Sequence, residues 1–246
     1  MLPGRSTQRV RPCIHRAFTL AEVAIAMAVL ALLAALILPA LARAKQQSRA
    51  SRCVDNSRHI GAAFAVYADN NNGEFVPFRK NETASRDALV DSGDPTATFW
   101  PDLLNEFAGD DGIWHCPACR GQFGIGYSQL LSRDSTQHRV TRTSDLAKPG
   151  ATVIFGDTDR VANPGAAPDE WRPSETDNGS VQSRLQFEIP VSSDWNRRDK
   201  GSRRIWNRHL NRATVVFADQ HAAVIPVSRL GFQEEVEISE RLWDEN

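Results

Sequence analysis

The chain has no excess of positive charge. Its 29 lysines and arginines are matched by 30 aspartates and glutamates, which gives a net charge of −1. Proteins that hold nucleic acids gain most of their affinity from lysine and arginine side chains that neutralise phosphates. A chain balanced in this way has no global field for DNA or RNA, and we expect no nucleic-acid partner.

Cysteine is also scarce, with four residues in 246, too few for a small fold that depends on a disulfide framework. The sequence contains no Gly-x-Ser-x-Gly elbow, no His-Glu-x-x-His helix and no phosphate-binding glycine loop. At 41% hydrophobic residues, the composition is that of a folding chain and excludes a disordered one. We therefore predict a structural protein that is not an enzyme and needs no cofactor or metal.

Long apolar runs are limited to one, near the N-terminus. Residues 1–17 contain four arginines and no acid, whereas residues 23–42 carry no charge. A helix of that length spans about 30 Å, the hydrocarbon thickness of a bilayer. The pattern predicts a single-pass protein with a cytoplasmic N-terminus and the rest of the chain exported.

Glu22 stands at the entrance of this apolar run. A carboxylate at that depth is costly unless a cation pairs with it or it reaches the membrane surface, so it marks a functional position by default. The residues around it, Arg16-Ala17-Phe18-Thr19-Leu20-Ala21-Glu22, resemble the processing site of type IV prepilins and type II secretion pseudopilins.

This resemblance implies cleavage by a prepilin peptidase between Ala17 and Phe18, followed by methylation of the new amino group. It also implies that Glu22 pairs with the amino terminus of a neighbouring pilin-like subunit as a filament assembles from the bacterial inner membrane. The family nearly always has Gly before the cut. Because this chain has Ala17, the smallest available change, we expect slower processing.

A rival prediction comes from Ala40-Leu41-Ala42 and Ala42-Arg43-Ala44, which look like sites for ordinary signal peptidase. Cleavage there would give a secreted binding protein or enzyme, and without cleavage the segment would only anchor such a protein. The apolar run is longer than the ~7–15 residues of a signal segment, and a signal has no use for Glu22. We therefore favour the prepilin prediction.

The organisation that follows has a basic leader (1–17), a transmembrane helix (18–42), an amphipathic continuation of that helix (43–72) and an exported β-rich head (73–246). Apolar residues near helical spacing predict the continuation, and the Asn-rich turn ending at Gly73 predicts its end. The expected fold is α+β and pilin-like, with the long helix packed on an antiparallel sheet.

The stretch from Cys53 to Gly73 further resembles a bacterial branch of prepilin-like proteins that ends in a motif of His, nine residues and Asp-Gly. Here the motif is His209, nine residues and Asp219, with Gln220 in place of Gly. We expect a structural hydrogen bond between His209 and the Asp219 turn. A catalytic or metal set that adds His221 is the alternative.

Residue patterns in the head predict a few further elements. These are a helix over 99–108, a strand over 151–156, another over 185–191, a hairpin of 214–218 with 222–225, and a terminal helix over 228–243. The hairpin turn normally needs glycine for its positive φ, so Gln220 implies a different or strained turn.

Cys116-Pro117-Ala118-Cys119 suits a redox dithiol, half of a zinc site or a small disulfide. Zinc needs two more ligands, and the sequence has no second pair at similar spacing. In an oxidising compartment we favour a disulfide between Cys116 and Cys119, with a Cys53–Cys116 bridge as the next option. Calcium at Asp157, Asp159 or Asp219, by analogy with secretion pseudopilins, is a further option.

Overall fold

A computed structural model of the chain describes part of it in residue detail. The described residues are 19–84, 88–91, 93–119, 123–128, 131, 141–163, 165–174, 184–187 and 203–230. The chain divides into two compact units, residues 1–44 and 45–246. Ala17, Phe18, most of the predicted strand 185–191 and most of the predicted helix 228–243 lie outside the described residues.

The main helix, α1, runs from Leu20 to Asn70. Within the described part of the chain it is the one helix long and apolar enough to cross a membrane. It continues through Pro39 and ends where the Asn-rich turn begins, with Gly73 at a φ of +78°. Helical structure thus continues beyond the apolar run, and it ends at Asn70, two residues before the expected bound of 72.

The first unit contains the apolar half of α1. None of the residues from Leu20 to Ala44 is buried, and large apolar side chains such as Leu36 and Leu38 are more than 60% exposed. A helix that is apolar on all sides is characteristic of a membrane span or of a helix covered by other chains. The structure thus supports a membrane-compatible N-terminal helix.

The second unit is an α+β domain. Among its described residues, the second half of α1 is joined by a short α-helix, a two-stranded sheet, a six-stranded sheet and several 3-10 turns. The elements are β1 (Arg79–Lys80), β2 (Thr98–Phe99), α2 (Trp100–Ala108), β3 (Ile125–Ser128), β4 (Val153–Arg160), β5 (Gln186–Phe187), β6 (Arg203–Ile205), β7 (Ala213–Phe217) and β8 (Ala222–Ile225).

The larger sheet has the order β5-β3-β4-β7-β8, with β6 paired to the far end of β4. All of these pairs are antiparallel except β3 with β5, which is parallel. The prediction of a purely antiparallel sheet is therefore wrong at one pair. Because β4 runs antiparallel to β3, it returns the chain to the end of the sheet at which β3 begins, and β5 can start there and run parallel to β3.

Aromatic side chains fill the core between α1 and the sheet. Phe64 of α1 makes edge-to-face contacts with Phe75, Tyr127 and Phe155, at centroid distances of 4.8, 6.4 and 5.5 Å. The ring centroid of Trp100 in α2 lies 4.9 Å from that of Phe155. Such pairs contribute about 0.5–1.5 kcal/mol each beyond the area they bury, so this cluster fixes the helix against the sheet.

A second apolar core lies on the opposite face of the sheet. In β7, Val216 belongs to the core with α1, whereas Val215 and Phe217 belong to the second core with Trp171 and Leu230. Successive side chains of a strand point to opposite faces, so all five residues of β7 are buried. β7 is therefore buried on both faces, and four of its five residues are apolar.

The hairpin of β7 and β8 forms as predicted, and its turn is the strained one. Gln220 has a φ of +76°, a region that side chains with a Cβ rarely adopt. The turn also lies against α1, since a Cβ added to Gly61 would come within 3.2 Å of the Gln220 carbonyl oxygen and 3.0 Å of Val216. Gly61 thus allows the helix to approach the hairpin closely.

Gln220→Gly should raise the free energy of unfolding by about 1 kcal/mol. The left-handed conformation costs a non-glycine residue about 1–2 kcal/mol, and the greater freedom of unfolded glycine returns part of that gain. Asn211→Gly is the control, because Asn211 has a φ of +61° but asparagine tolerates this region. Urea unfolding of the full chain in detergent, followed by tryptophan fluorescence, measures both. Equal gains would contradict strain at Gln220.

Candidate functional site

Four buried side chains from distant parts of the sequence converge in the second unit. They are Cys53 of α1, Cys116 of the loop after α2, Asp157 of β4 and His209 of the loop before β7. One sulfur, nitrogen or oxygen atom from each lies within 4.8 Å of the other three. We call these residues the four-residue cluster.

The helix and the central strand position two members. Cys53 lies on the face of α1 that also buries Ser57 and Ile60, one helical turn apart each. Asp157 lies within β4, paired with Ile125 of β3, and is completely buried. The strand is longer than predicted because it continues past residue 156 through Asp157 and Thr158, whose polar groups find partners inside the fold.

Two tight loops position the other members. A side-chain amide of Asn56 on α1 donates to the His115 carbonyl at 3.0 Å and fixes the loop that carries Cys116. His209 pairs through its backbone with Arg212 around a two-residue turn in which Leu210 and Asn211 both have positive φ. Such a turn reverses the chain sharply and brings His209 beside the sheet.

Short contacts link the cluster into a network. The Cys53 thiol donates to Asp157 Oδ1 at 3.4 Å, and Cys116 Sγ lies 3.5 Å from His209 Nε2. His209 Nε2 lies 3.6 Å from Asp157 Oδ2. Each side chain is therefore within contact distance of at least one other member.

Arg208 completes the surroundings of Asp157. Its guanidinium donates to Asp157 Oδ1 at 3.0 Å, and the two side chains are 2% and 0% exposed. The guanidinium also donates to the carbonyls of Gly124 and Thr158, while the Thr214 backbone N–H donates to Asp157 Oδ2 at 2.7 Å. Buried charges are tolerated when they are paired and hydrogen-bonded in this way.

The pKa values of the two thiols in the cluster are shifted in opposite directions. The hydrogen bond from Cys53, together with smaller effects of His209 and Arg208, outweighs burial and lowers the pKa of the Cys116 thiol to about 3. The same hydrogen bond, together with burial and the Asp157 charge, raises the pKa of Cys53 well above its usual range. Cys116 is thus the thiol that ionises first.

Burial also shifts the pKa values of Asp157 and His209 in this cluster. Burial raises the pKa of the Asp157 carboxyl, and the Arg208 charge opposes that shift. Burial lowers the pKa of His209, but the hydrogen bond to Cys116 and the charges of Asp157 and Cys116 exceed it, and the net shift is upward. The surroundings therefore favour the anionic form of Cys116 and the cationic form of His209, whereas the net upward shift of the Asp157 pKa disfavours its anionic form.

The cysteines do not pair as we expected from the Cys-x-x-Cys motif. Cys53, Cys116 and Cys119 are free thiols, and Cys119 donates to the Phe123 carbonyl at 3.2 Å. Cys116 faces Cys53 and His209, not its partner in the motif. The spacing of residues in the sequence does not exclude zinc, because side chains from other elements of the fold lie beside Cys116.

The C-terminal motif is likewise divided. His209 is buried in the cluster, whereas Asp219 lies exposed in the β7–β8 turn, 2.6 Å from His221 Nδ1. The expected hydrogen bond between His209 and the Asp219 turn is therefore wrong, because the polypeptide between them forms β7 and carries them apart. Of the carboxylates considered for calcium, Asp157 belongs to a buried strand and not to a loop.

At the other end of the described chain, Glu22 closes the first turn of α1. Glu22 Oε2 accepts from the Thr19 backbone N–H at 2.8 Å and from the Thr19 hydroxyl at 2.9 Å, and that hydroxyl accepts from the Glu22 N–H. This is a capping box, which satisfies backbone donors at a helix start. The sequence pattern Thr-x-x-Glu carries this signal, which our sequence analysis missed.

Comparisons of the chain with protein-family models, with curated proteins and with solved structures found no match.

Arg208→Gln should lower the free energy of unfolding by about 3–5 kcal/mol, because it leaves the buried Asp157 carboxylate and two buried carbonyls without their donor. The matched control is Arg142→Gln, whose ion pair with Glu74 at 2.9 Å is 48% and 37% exposed and is worth at most ~1 kcal/mol. Denaturant titration of both variants measures the difference. Similar losses at the two sites would contradict the special role of Arg208.

Proposed function

We propose that this protein is a pilin-like or pseudopilin-like subunit of a filament in a type II secretion or type IV pilus-like system. The observation that carries the proposal is the apolar half of α1. Residues 23–42 are uncharged, and none of their side chains is buried within the chain. That surface needs lipid before assembly and neighbouring helices afterwards, and the sequence around Phe18 resembles the prepilin processing site.

In this proposal α1 has two tasks. Its first half holds the subunit in the inner membrane, with the basic leader on the cytoplasmic side. Its second half packs on the sheet of the exported domain through Phe64 and its aromatic neighbours. In this proposal, α1, which runs from Leu20 to Asn70, contributes both the membrane anchor and a helix of the folded head.

Glu22 supplies the registration between subunits. The described contacts to Thr19 all use Oε2, which leaves Oε1 available for a cation. A charge in the apolar core of a membrane costs about 2.5–3.5 kcal/mol on insertion scales. Pairing with the methylated amino terminus of an adjacent subunit offsets that cost and favours docking in one register.

We expect the N-terminus of the mature protein to be a methylated Phe18. Edman sequencing and mass spectrometry of protein taken from the membrane measure it directly. A protein that starts near Arg43 or Lys45 would contradict the proposal and support signal-peptidase cleavage. Deletion of the prepilin peptidase should leave the unprocessed precursor with residues 1–17 attached, which provides the matched control for the cleavage itself.

Three variants separate the charge of Glu22 from its role in the capping box. Glu22→Gln keeps a capping-box side chain but removes the charge, and should reduce incorporation into filaments by at least about tenfold, the equivalent of ~1.4 kcal/mol. Thr19→Ala removes the cap and keeps the charge, so incorporation should persist. Glu22→Ala should behave as Glu22→Gln.

The measurement is the amount of subunit in sheared filaments relative to the amount in membranes. Membrane insertion should be equal for all three variants, since the apolar run is unchanged. If Glu22→Gln assembles normally and Thr19→Ala does not, Glu22 acts only as a helix cap and the pairing role is wrong.

A further inference from the structure

We propose that the four-residue cluster of Cys53, Cys116, Asp157 and His209 is a structural zinc site. This inference goes beyond the proposed filament role and does not depend on it. It rests on the positions of the four side chains, on their chemistry and on the charge of their surroundings, which are taken in turn below.

The positions of the four side chains suit tetrahedral coordination of an ion. Zinc bonds of about 2.3 Å to sulfur and about 2.0–2.2 Å to nitrogen and oxygen place neighbouring ligand atoms roughly 3.4–3.8 Å apart in a tetrahedron. Three contacts in the structure fall in or close to this range: 3.4 Å from Cys53 Sγ to Asp157 Oδ1, 3.5 Å from Cys116 Sγ to His209 Nε2, and 3.6 Å from His209 Nε2 to Asp157 Oδ2. One ligand atom from each of the four residues lies within 4.8 Å of the other three, so small movements of the side chains would close a tetrahedron around zinc.

The ligand chemistry selects zinc among common ions. Two thiolates and an imidazole are soft and borderline ligands, unlike the all-oxygen sets that calcium and magnesium prefer. The Asp157 carboxylate is a poor ligand for Cu(I), which favours sulfur. Four protein ligands also fill the tetrahedron and leave no position for a reacting water, which is characteristic of structural sites.

The charges of the cluster and its surroundings balance when a divalent ion is bound. Two thiolates and one carboxylate carry three negative charges, zinc carries two positive charges, and Arg208 supplies the third. Arg208 lies 3.0 Å from Asp157 Oδ1 and is itself buried. The Thr214 N–H at 2.7 Å from Asp157 Oδ2 provides a second outer contact. Such outer-shell donors orient ligating carboxylates in metal sites.

A zinc ion at this site would link four separate elements of the fold. α1, the loop after α2, the central strand β4 and the loop before β7 each contribute one ligand. Zinc would thereby fix the exported half of α1 on the sheet at a point three turns before Phe64. A closed, buried site of this kind contributes to folding, because the unfolded chain has no preformed site.

The competing outcome is a disulfide between Cys53 and Cys116, which uses the same two thiols. It gives His209 and Asp157 no ligand role, whereas a zinc site requires all four residues. The two outcomes are therefore distinguishable by metal content, by the state of the thiols and by the effect of changing His209.

The first experiment measures zinc in the full chain, purified in detergent with a reductant and without chelators, by inductively coupled plasma mass spectrometry. We expect about one zinc ion per chain. Cys116→Ser should lose at least about nine-tenths of the metal, whereas Cys119→Ser, in the same Cys-x-x-Cys motif, should retain it. His209→Asn should lose it as well, and His221→Asn, in the exposed turn, should not.

The second experiment uses the unaltered chain and so does not depend on how the variants fold. Exchange of zinc for Co²⁺ should give thiolate-to-cobalt charge transfer and the intense visible bands of a tetrahedral site. Wild-type protein that holds no stoichiometric zinc, or that shows a Cys53–Cys116 cross-link in non-reducing peptide mapping, would overturn the proposal. Equal metal loss in Cys119→Ser and Cys116→Ser would also overturn it.

Discussion

The buried pair of Asp157 and Arg208 is the interaction on which the second unit depends. Asp157 lies in the central strand β4, which pairs with β3, β6 and β7, and a carboxylate there must be compensated within the fold. Arg208, the Thr214 N–H and the Cys53 thiol provide that compensation. Because these partners belong to different elements, satisfying one charge fixes the helix, the sheet and the loop before β7 together.

The aromatic core adds the second constraint. Phe64 on α1 touches residues from the loop after the helix and from two strands, and Gly61 lets the helix backbone approach β7 and its turn. Non-directional burial of aromatic surface holds the helix to the sheet, and directional polar contacts at Cys53 and Asn56 set its position along the sheet. The helix is thus anchored by two kinds of interaction a few turns apart.

The same helix meets two environments, and its composition changes accordingly. Up to Ala44 its apolar side chains are exposed, whereas from Ala50 onward its buried face repeats at helical spacing. The hydrophobic effect accounts for both halves, since apolar surface must be removed from water either by lipid and neighbouring chains or by the sheet. This change of surroundings is the physical basis for the proposed filament role.

Much of the local structure could be predicted from the sequence. The uncharged run over 23–42, the end of α1 at the Asn-rich turn, α2 with Pro101 in its first turn, and the β7–β8 hairpin with its strained Gln220 all follow from periodicity, turn chemistry and backbone sterics. Each of these signals involves residues close together in the chain, so it can be recognised from the sequence alone. The predicted prepilin processing around Phe18 belongs to the same local kind of inference.

The candidate site was not predictable in this way. Cys116 and Cys119 are neighbours in the sequence and suggested a local pair, yet Cys116 meets Cys53, Asp157 and His209. His209 and Asp219 belong to one motif, yet β7 separates them. The sequence alone determined the apolar span, α2 and the β7–β8 hairpin, because those depend on near neighbours, but it did not predict β1, β2, β3 or β6. Only the tertiary structure decided which polar groups meet. The buried carboxylate of Asp157 in β4 is hydrogen-bonded by groups that are distant in the sequence and that the fold brings next to it.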